Sequence, residues 1–195
     1  MKTESTAVRL SDYRPPDFAI DTVDLDFALD PVRTRVTSRL KLRRTNPDAT
    51  ALELMGDELA LLEVRLDGEA LSTAHYSASP SGLTIHDPPG APFELTVVTE
   101  VNPSANTKLM GLYRSSKTFC TQCEAEGFRR ITYFIDRPDV LSIYTTRLEA
   151  DKALAPVLLS NGDLVKRGDL PGGRHFAVWH DPFPKPAYLF AMVAG

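Results

Sequence analysis

Hydrophobic residues in this chain recur at every second position over most of its length, the period of β-strands rather than helices. Phe18 and Ile20, then Val23, Leu25, Phe27 and Leu29, alternate with polar residues, and the phase slips at Asp21-Thr22. A slip of that kind is what a β-bulge produces. Asp30-Pro31 marks a turn. Beyond it, Val36, Leu40 and Leu42 face one way while Thr37, Arg39, Lys41 and Arg43 face the other, a strand with one wet face. Two short strands follow at 52–54 and 59–66, around Gly56-Asp57, and Asp67-Gly68 is a strong hairpin signal. Strand patterning continues at 83–85 and 93–101, punctuated by Pro88-Pro89-Gly90 and Pro92.

Residues 102–119 read as loop. Strand candidates resume at 131–135, 141–148, 157–160 and 176–179, with Asn161-Gly162 and Gly172-Gly173 as hairpin turns. Asp136-Arg137-Pro138-Asp139 is a candidate for one helical turn, since proline is tolerated at the first helical position. The proline-rich Asp181-Pro182-Phe183-Pro184-Lys185-Pro186 predicts a rigid bend. After it, 188–193 lacks polar alternation and predicts a strand buried on both faces. Such a strand either docks inside a sheet or precedes further chain. The pattern predicts an all-β fold: one domain over 1–195, a twisted saddle or sandwich of about eleven mostly antiparallel strands with at most short helical turns.

Composition narrows the function classes. The 195 residues are 43% hydrophobic and 25% charged, ordinary for a globular protein. The 22 basic and 26 acidic residues leave a net charge of −4, so there is no basic footprint for nucleic acid. The opening Met1-Lys2-Thr3-Glu4-Ser5 is polar and not a secretory signal. No apolar run approaches the ~20 residues of a spanning helix. No membrane partner is expected, and a cytoplasmic location is.

The densest chemistry lies between Gln122 and Arg137. Glu124 and Glu126 stand two apart, the pattern of paired carboxylates in glycosidases, but a single tryptophan, Trp179, is poor material for a sugar platform. The plain alternative pairs Glu126 with Arg129 or Arg130 to structure a loop. Cys120 and Cys123 form C-x-x-C, open to a zinc site, a redox pair or two reduced thiols. The histidines His75, His86, His175 and His180 do not complete a zinc set at short spacing. Neither H-E-x-x-H, G-x-S-x-G nor a phosphate-binding glycine loop occurs. The residues alone favour a binding or accessory β-domain over a complete enzyme.

One resemblance is specific. Thr121-Gln122-Cys123-Glu124, with Arg129 five residues and Asp136 twelve residues beyond Glu124, then Pro138, resembles the N-terminal domain of the aminopeptidase N family of zinc metallopeptidases. Leu159-Ser160-Asn161-Gly162 matches its serine-asparagine turn. Thr132-Tyr133, the 181–186 segment, Tyr188-Leu189-Phe190-Ala191 and the opening Tyr13-Arg14-Pro15-Pro16-Asp17-Phe18 resemble its bacterial alanyl aminopeptidase branch. Two departures stand out: Arg137 replaces the family's second acid, and Tyr133-Phe134-Ile135 replaces its proline-containing segment.

The resemblance implies a β saddle lying against a thermolysin-like catalytic domain of the same chain. It implies that Glu124 binds the free α-amino group of a peptide and that Gln122 lines the pocket for the first side chain. The parent enzyme would carry one zinc ion. This segment, lacking the H-E-x-x-H helix, would supply no catalytic residue and no metal ligand, and would hydrolyse nothing alone. The competing expectation is a self-standing β-sandwich binding module.

Overall fold

The computed structural model describes residues 9–195; the polar opening at 1–5 lies outside the described residues. In chain order the strands are β1 (Phe18–Ala28), β2 (Thr34–Arg44), β3 (Ala51–Met55), β4 (Ala60–Leu66), β5 (Glu69–Ala70), β6 (Tyr76–Ser79), β7 (Gly82–His86) and β8 (Phe93–Val101). They continue as β9 (Gly111–Ser115), β10 (Thr118–Gln122), β11 (Ser142–Asp151), β12 (Leu158–Ser160), β13 (Asp163–Asp169), β14 (Arg174–Lys185) and β15 (Met192–Ala194). The only helical elements among the described residues are 3-10 turns of three residues each. The fold is all-β, with more strands than the eleven or so expected. β5, β6, β9 and β10 are too short for alternation to stand out, and residues 102–119, expected as loop, contain β9 and the start of β10.

An eight-stranded sheet runs β13-β14-β11-β1-β2-β8-β4-β5, a four-stranded one β12-β15-β10-β9, and a three-stranded one β3-β7-β6. Pairing is antiparallel except between β1 and β11. The phase slip at Asp21-Thr22 is a register shift between β1 and β2, as the alternation predicts. On β2, Val36, Leu40 and Leu42 are buried while Arg35, Arg39, Lys41 and Arg43 are exposed. The half-wet face of the large sheet carries a charge network in which Arg147 bonds Asp26 (2.9 Å) and Glu149 (2.6 Å), and Arg174 bonds Glu149 (2.8 Å).

Four expectations need correction. Residues 131–135 are buried but form no strand; a single bridge joins Phe134 to Met55, with reciprocal backbone bonds of 2.8 and 3.0 Å. Side chains on both sides of this segment enter the core, so burial produced a strand-like pattern without a ladder. Asp136–Asp139 forms no helix. The 181–186 segment is not a bend between elements: β14 runs on to Lys185, and two extra residues bulge opposite β11 between Tyr144↔Asp181 and Ser142↔Lys185. The bulge accommodates Pro182 and Pro184, which have no N–H to give a ladder. Asn161-Gly162 is a sheet-switching turn, not a hairpin, because β12 pairs with β15 and β13 with β14.

The terminal run also differs. It contains a 3-10 turn (Ala187–Leu189) and then β15, which lies inside the four-stranded sheet between β12 and β10. Only one face of β15 is buried: Met192 and Ala194 point inward, while Val193 is 43% exposed.

Candidate functional site

Gln122 ends β10, and its partner across the ladder is Gly111 of β9. On its other side β10 is tied to β15, and Thr121 extends that ladder with its side chain. The Thr121 hydroxyl donates to Met192 O (3.2 Å) and accepts from Met192 N (2.8 Å). The chain then turns sharply, with Gly127 N donating to Cys123 O at 2.8 Å. This turn presents Glu124, Ala125 and Glu126 to solvent and returns Phe128 to the core.

Two glycines make the closure possible. A Cβ on Gly127 would lie 2.3 Å from Gln122 O and 2.9 Å from Cys123 Cα. A Cβ on Gly111 would lie 2.6 Å from the Arg130 Cβ, and Gly111 also has a φ of +71°. No other residue type allows both the close approach and that backbone conformation without strain.

Phe128 anchors the returning limb. Its ring meets Phe134 edge-on at 4.8 Å between centroids and Phe190 at 5.3 Å. Such edge-to-face pairs add to the area the ring buries. The next two residues are arginines that reach in different directions. Arg129 donates from its backbone N (3.1 Å) and Nε (3.0 Å) to Asp136 Oδ2, and from Nη2 to Asp136 O (3.0 Å). Its Nη2 also meets Glu126 Oε1 at 3.2 Å. Arg130 bonds Asp57 and, at 2.5 Å, Glu58 in the β3–β4 connection, and its Nε donates to Met110 O at 3.3 Å.

The electrostatics follow from burial and partners. The hydrogen bonds from Lys108 and Arg130 hold the Glu58 carboxyl down at about 2. Burial pushes the Asp136 carboxyl above its ordinary range, and the bonds from Arg129 pull the other way. Burial, helped by the charge of Asp136, also pushes the Cys123 thiol well up. Cys120 and Cys123 are free thiols, and Cys123, in this protonated state, is a poor nucleophile and a poor metal ligand.

The sequence-derived candidates are therefore adjacent. Gln122 and Glu124 are both exposed, and Gln122 Nε2 donates to the backbone oxygen of Glu124 at 3.2 Å. The Glu124 carboxylate has no hydrogen-bond or ion-pair partner among the described residues. Glu126, its neighbour in sequence, is instead tied to Arg129. The brace from Arg129 to Asp136 and the two glycines were not picked out from the sequence. The spacing of Arg129 and Asp136 was visible, but nothing in it marks a contact.

No group of three or more His, Cys, Asp or Glu among the described residues is arranged to hold a metal ion. The described residues therefore do not fit a zinc site. An open groove of about 670 Å³, floored by Phe176 and Trp179 and flanked by Val157 and Leu164, is lined by none of residues 122–126.

Comparison with known proteins decides the family. The model of the peptidase M1 N-terminal domain matches residues 61–189. This chain belongs to that family. It is 55% identical over 196 residues to aminopeptidase N of Caulobacter vibrioides, covering 100% of this chain and 22% of that protein. Aminopeptidase N of Escherichia coli is 47% identical over 184 residues, covering 94% of this chain and 21% of that protein. The chain thus spans about a fifth of the length of these curated relatives. Among solved structures, Legionella pneumophila aminopeptidase A in complex with aspartic acid superposes with a TM-score of 0.90 at 34% identity, covering 96% of this chain and 22% of that one. An M1 zinc metallopeptidase from Deinococcus radiodurans, at 14% identity and a TM-score of 0.79, shares the fold.

Proposed function

We propose that this M1 N-terminal domain is the substrate-anchoring part of a zinc aminopeptidase that removes N-terminal amino acids from peptides. Glu124 is the counter-ion for the substrate's free α-amino group, and Gln122 lines the pocket for its first side chain. The observation that carries this reading is the unpaired, exposed Glu124 carboxylate on a turn closed by glycines and anchored by Phe128. A carboxylate held there makes short charge-assisted bonds to an ammonium. An internal peptide bond brings no ammonium, so selectivity for chain ends follows.

The domain works beside a thermolysin-like catalytic domain of the same polypeptide, which supplies the zinc ligands and catalytic residues. The outward face of the small sheet is the docking surface for that domain. Leu159, Val193, Cys120 and Tyr113 are cross-strand neighbours there, and Leu159 and Val193 are 46% and 43% exposed. Gln122, two residues beyond Cys120 on the same strand, shares that face, so docking sets the substrate pocket at the seam. No helix among the described residues is long and apolar enough to cross a membrane.

The test is to extend the polypeptide through its catalytic domain and follow cleavage of an aminoacyl arylamide. Glu124→Ala is expected to lower kcat/KM roughly 100-fold, mainly through KM, as loss of a charged hydrogen-bond pair does. Unchanged kinetics in Glu124→Ala would end the anchoring proposal.

A further inference from the structure

We infer that Arg129 and Asp136 are a positioning pair for Glu124, and that the aim of the substrate-binding carboxylate depends on this brace more than on the surrounding sheet. The inference rests on the anchoring role of Glu124 and deepens it.

Glu124 sits outside every ladder. Its strand ends at Gln122, and its turn is exposed from Glu124 to Glu126. Backbone pairing therefore does not fix it. The turn is tied down by Gly127 N on Cys123 O, by the Gln122 amide on the Glu124 backbone oxygen, by the Phe128 ring in the core, and by Arg129. Two side chains reach onto the exposed limb: Gln122, itself exposed, and Arg129, which meets Glu126 two residues from Glu124 and is the one of the two fastened to a buried group, Asp136.

The other end of the brace is rigid. The Asp136 side chain is 2% exposed, and Arg129 occupies it with its backbone N–H and its Nε while also donating to the Asp136 backbone oxygen. A planar guanidinium that divides its donors among a buried carboxylate, a carbonyl and a surface carboxylate holds a fixed direction, which a lysine cannot. Arg129 O in turn accepts from Asp57 N at 3.0 Å, so the brace is fastened to the β3–β4 connection as well. Arg130 is oriented differently. Its side-chain partners are Asp57, Glu58 and Met110 O, none of them within the Glu124 turn.

Breaking the brace frees Glu126 and the limb that carries Glu124. A displacement of an ångström in a positioned group can cost about 100-fold in rate. Because Glu124 meets the ammonium already in the bound ground state, the loss belongs mostly in KM.

The experiment uses the full-length polypeptide carrying Arg129→Met, Arg129→Lys, Asp136→Asn or Glu124→Gln, with KM and kcat measured for an alanyl arylamide. Arg129→Met and Asp136→Asn are expected to raise KM about ten-fold or more, with a smaller fall in kcat and partial recovery in Arg129→Lys. Arg129→Lys and Asp136→Asn carry the test should Arg129→Met fail to fold. Wild-type KM in folded brace variants, with KM raised in Glu124→Gln, overturns the brace alone. Wild-type KM in Glu124→Gln overturns the anchoring role, and the brace with it.

Discussion

Strands β1 and β2 and the segment 122–137 both send large side chains into the same core, yet they are held by different means. β1 and β2 are paired along nearly their whole length, with β2 continuing into β8 and β1 into β11. Almost every backbone group there has a ladder partner, so no single side chain sets the position of the backbone. Beyond Gln122, its one ladder residue, segment 122–137 has a single bridge, at Phe134, and scattered turn and loop bonds, and otherwise depends on particular side chains and glycines. The difference teaches where the protein is tolerant and where it is not. Substitution in the ladder loses packing, whereas substitution in the segment loses packing and the geometry of the exposed turn together.

The largest expected effect comes from emptying the core under each region. Leu40→Ala in β2 removes a fully buried side chain and is expected to cost about 2–5 kcal/mol; Phe128→Ala is expected to cost about 3–5 kcal/mol. Urea unfolding followed by circular dichroism measures both. The comparison predicts a further split below the transition. Limited proteolysis should cut Phe128→Ala between 122 and 128 while the protein is still folded, and should not cut Leu40→Ala there. Equal resistance in both would show that the turn does not depend on its aromatic anchor.

Glycine substitution gives a smaller and more local contrast. Gly127→Ala places a Cβ against the backbone of Gln122 and Cys123, neither of which is a flexible side-chain end. Overpacking of this kind costs about 1–3 kcal/mol. In strand β7, the Cβ of Gly82→Ala would meet only Leu54 O at 3.6 Å, an ordinary contact. Thermal melting is expected to fall in Gly127→Ala and to hold or rise slightly in Gly82→Ala, where alanine lowers the entropy of the unfolded chain.

The same contrast explains what could be read from the residues. The alternation in β1 and β2 is legible because each strand has one face in the core, so the period is printed in the sequence. The bulge at Asp21-Thr22 is legible for the same reason, as a break in that period. Residues 130–136 are all buried, so the period vanishes and a strand is expected where only a bridge exists. The roles proposed for Glu124 and Gln122 rest on resemblance, since an exposed acid and an exposed amide carry no periodic signal. The bond from Glu126 to Arg129 was open to reading because the residues are three apart. The bond from Arg129 to Asp136 was not, because it depends on a turn whose shape is set by Gly127 and Phe128.

Acid sharpens the comparison at the next level down. Glu58 is depressed from 4.5 to about 2 by Lys108 and Arg130. A depressed carboxylate contributes stability that is complete above its unfolded value and is lost as pH falls through its folded value. The clamp on the β3–β4 connection should therefore weaken between about pH 4.5 and 2. Because Glu58 is exposed, salt should screen the effect. Melting temperature against pH is the measurement: wild type should exceed Glu58→Gln above pH 4.5, and the two should converge towards pH 2. Asp136 has the opposite sign. Its raised value disfavours the folded state at higher pH, so Arg129→Met, which removes the opposing bonds, should gain stability relative to wild type as pH falls.

The smallest effect on stability, and the finest probe of the two regions, is thiol labelling. Cys120 lies on β10 and is partly exposed on the outward face; Cys123, three residues on, is 2% exposed with its thiol held protonated. The thiolate is the reacting species, so a maleimide should modify Cys120 first and Cys123 only on opening of the turn. Mass spectrometry of the timed reaction separates the two sites. Phe128→Ala should accelerate Cys123 and leave Cys120 unchanged, because the ladder that holds Cys120 between Val193 and Tyr113 does not pass through the turn. In the longer polypeptide the order is expected to change, since a catalytic domain seated on the Leu159–Val193–Cys120 row would shield Cys120. Labelling of Cys120 at the same rate in both forms would place the docking surface elsewhere on the protein.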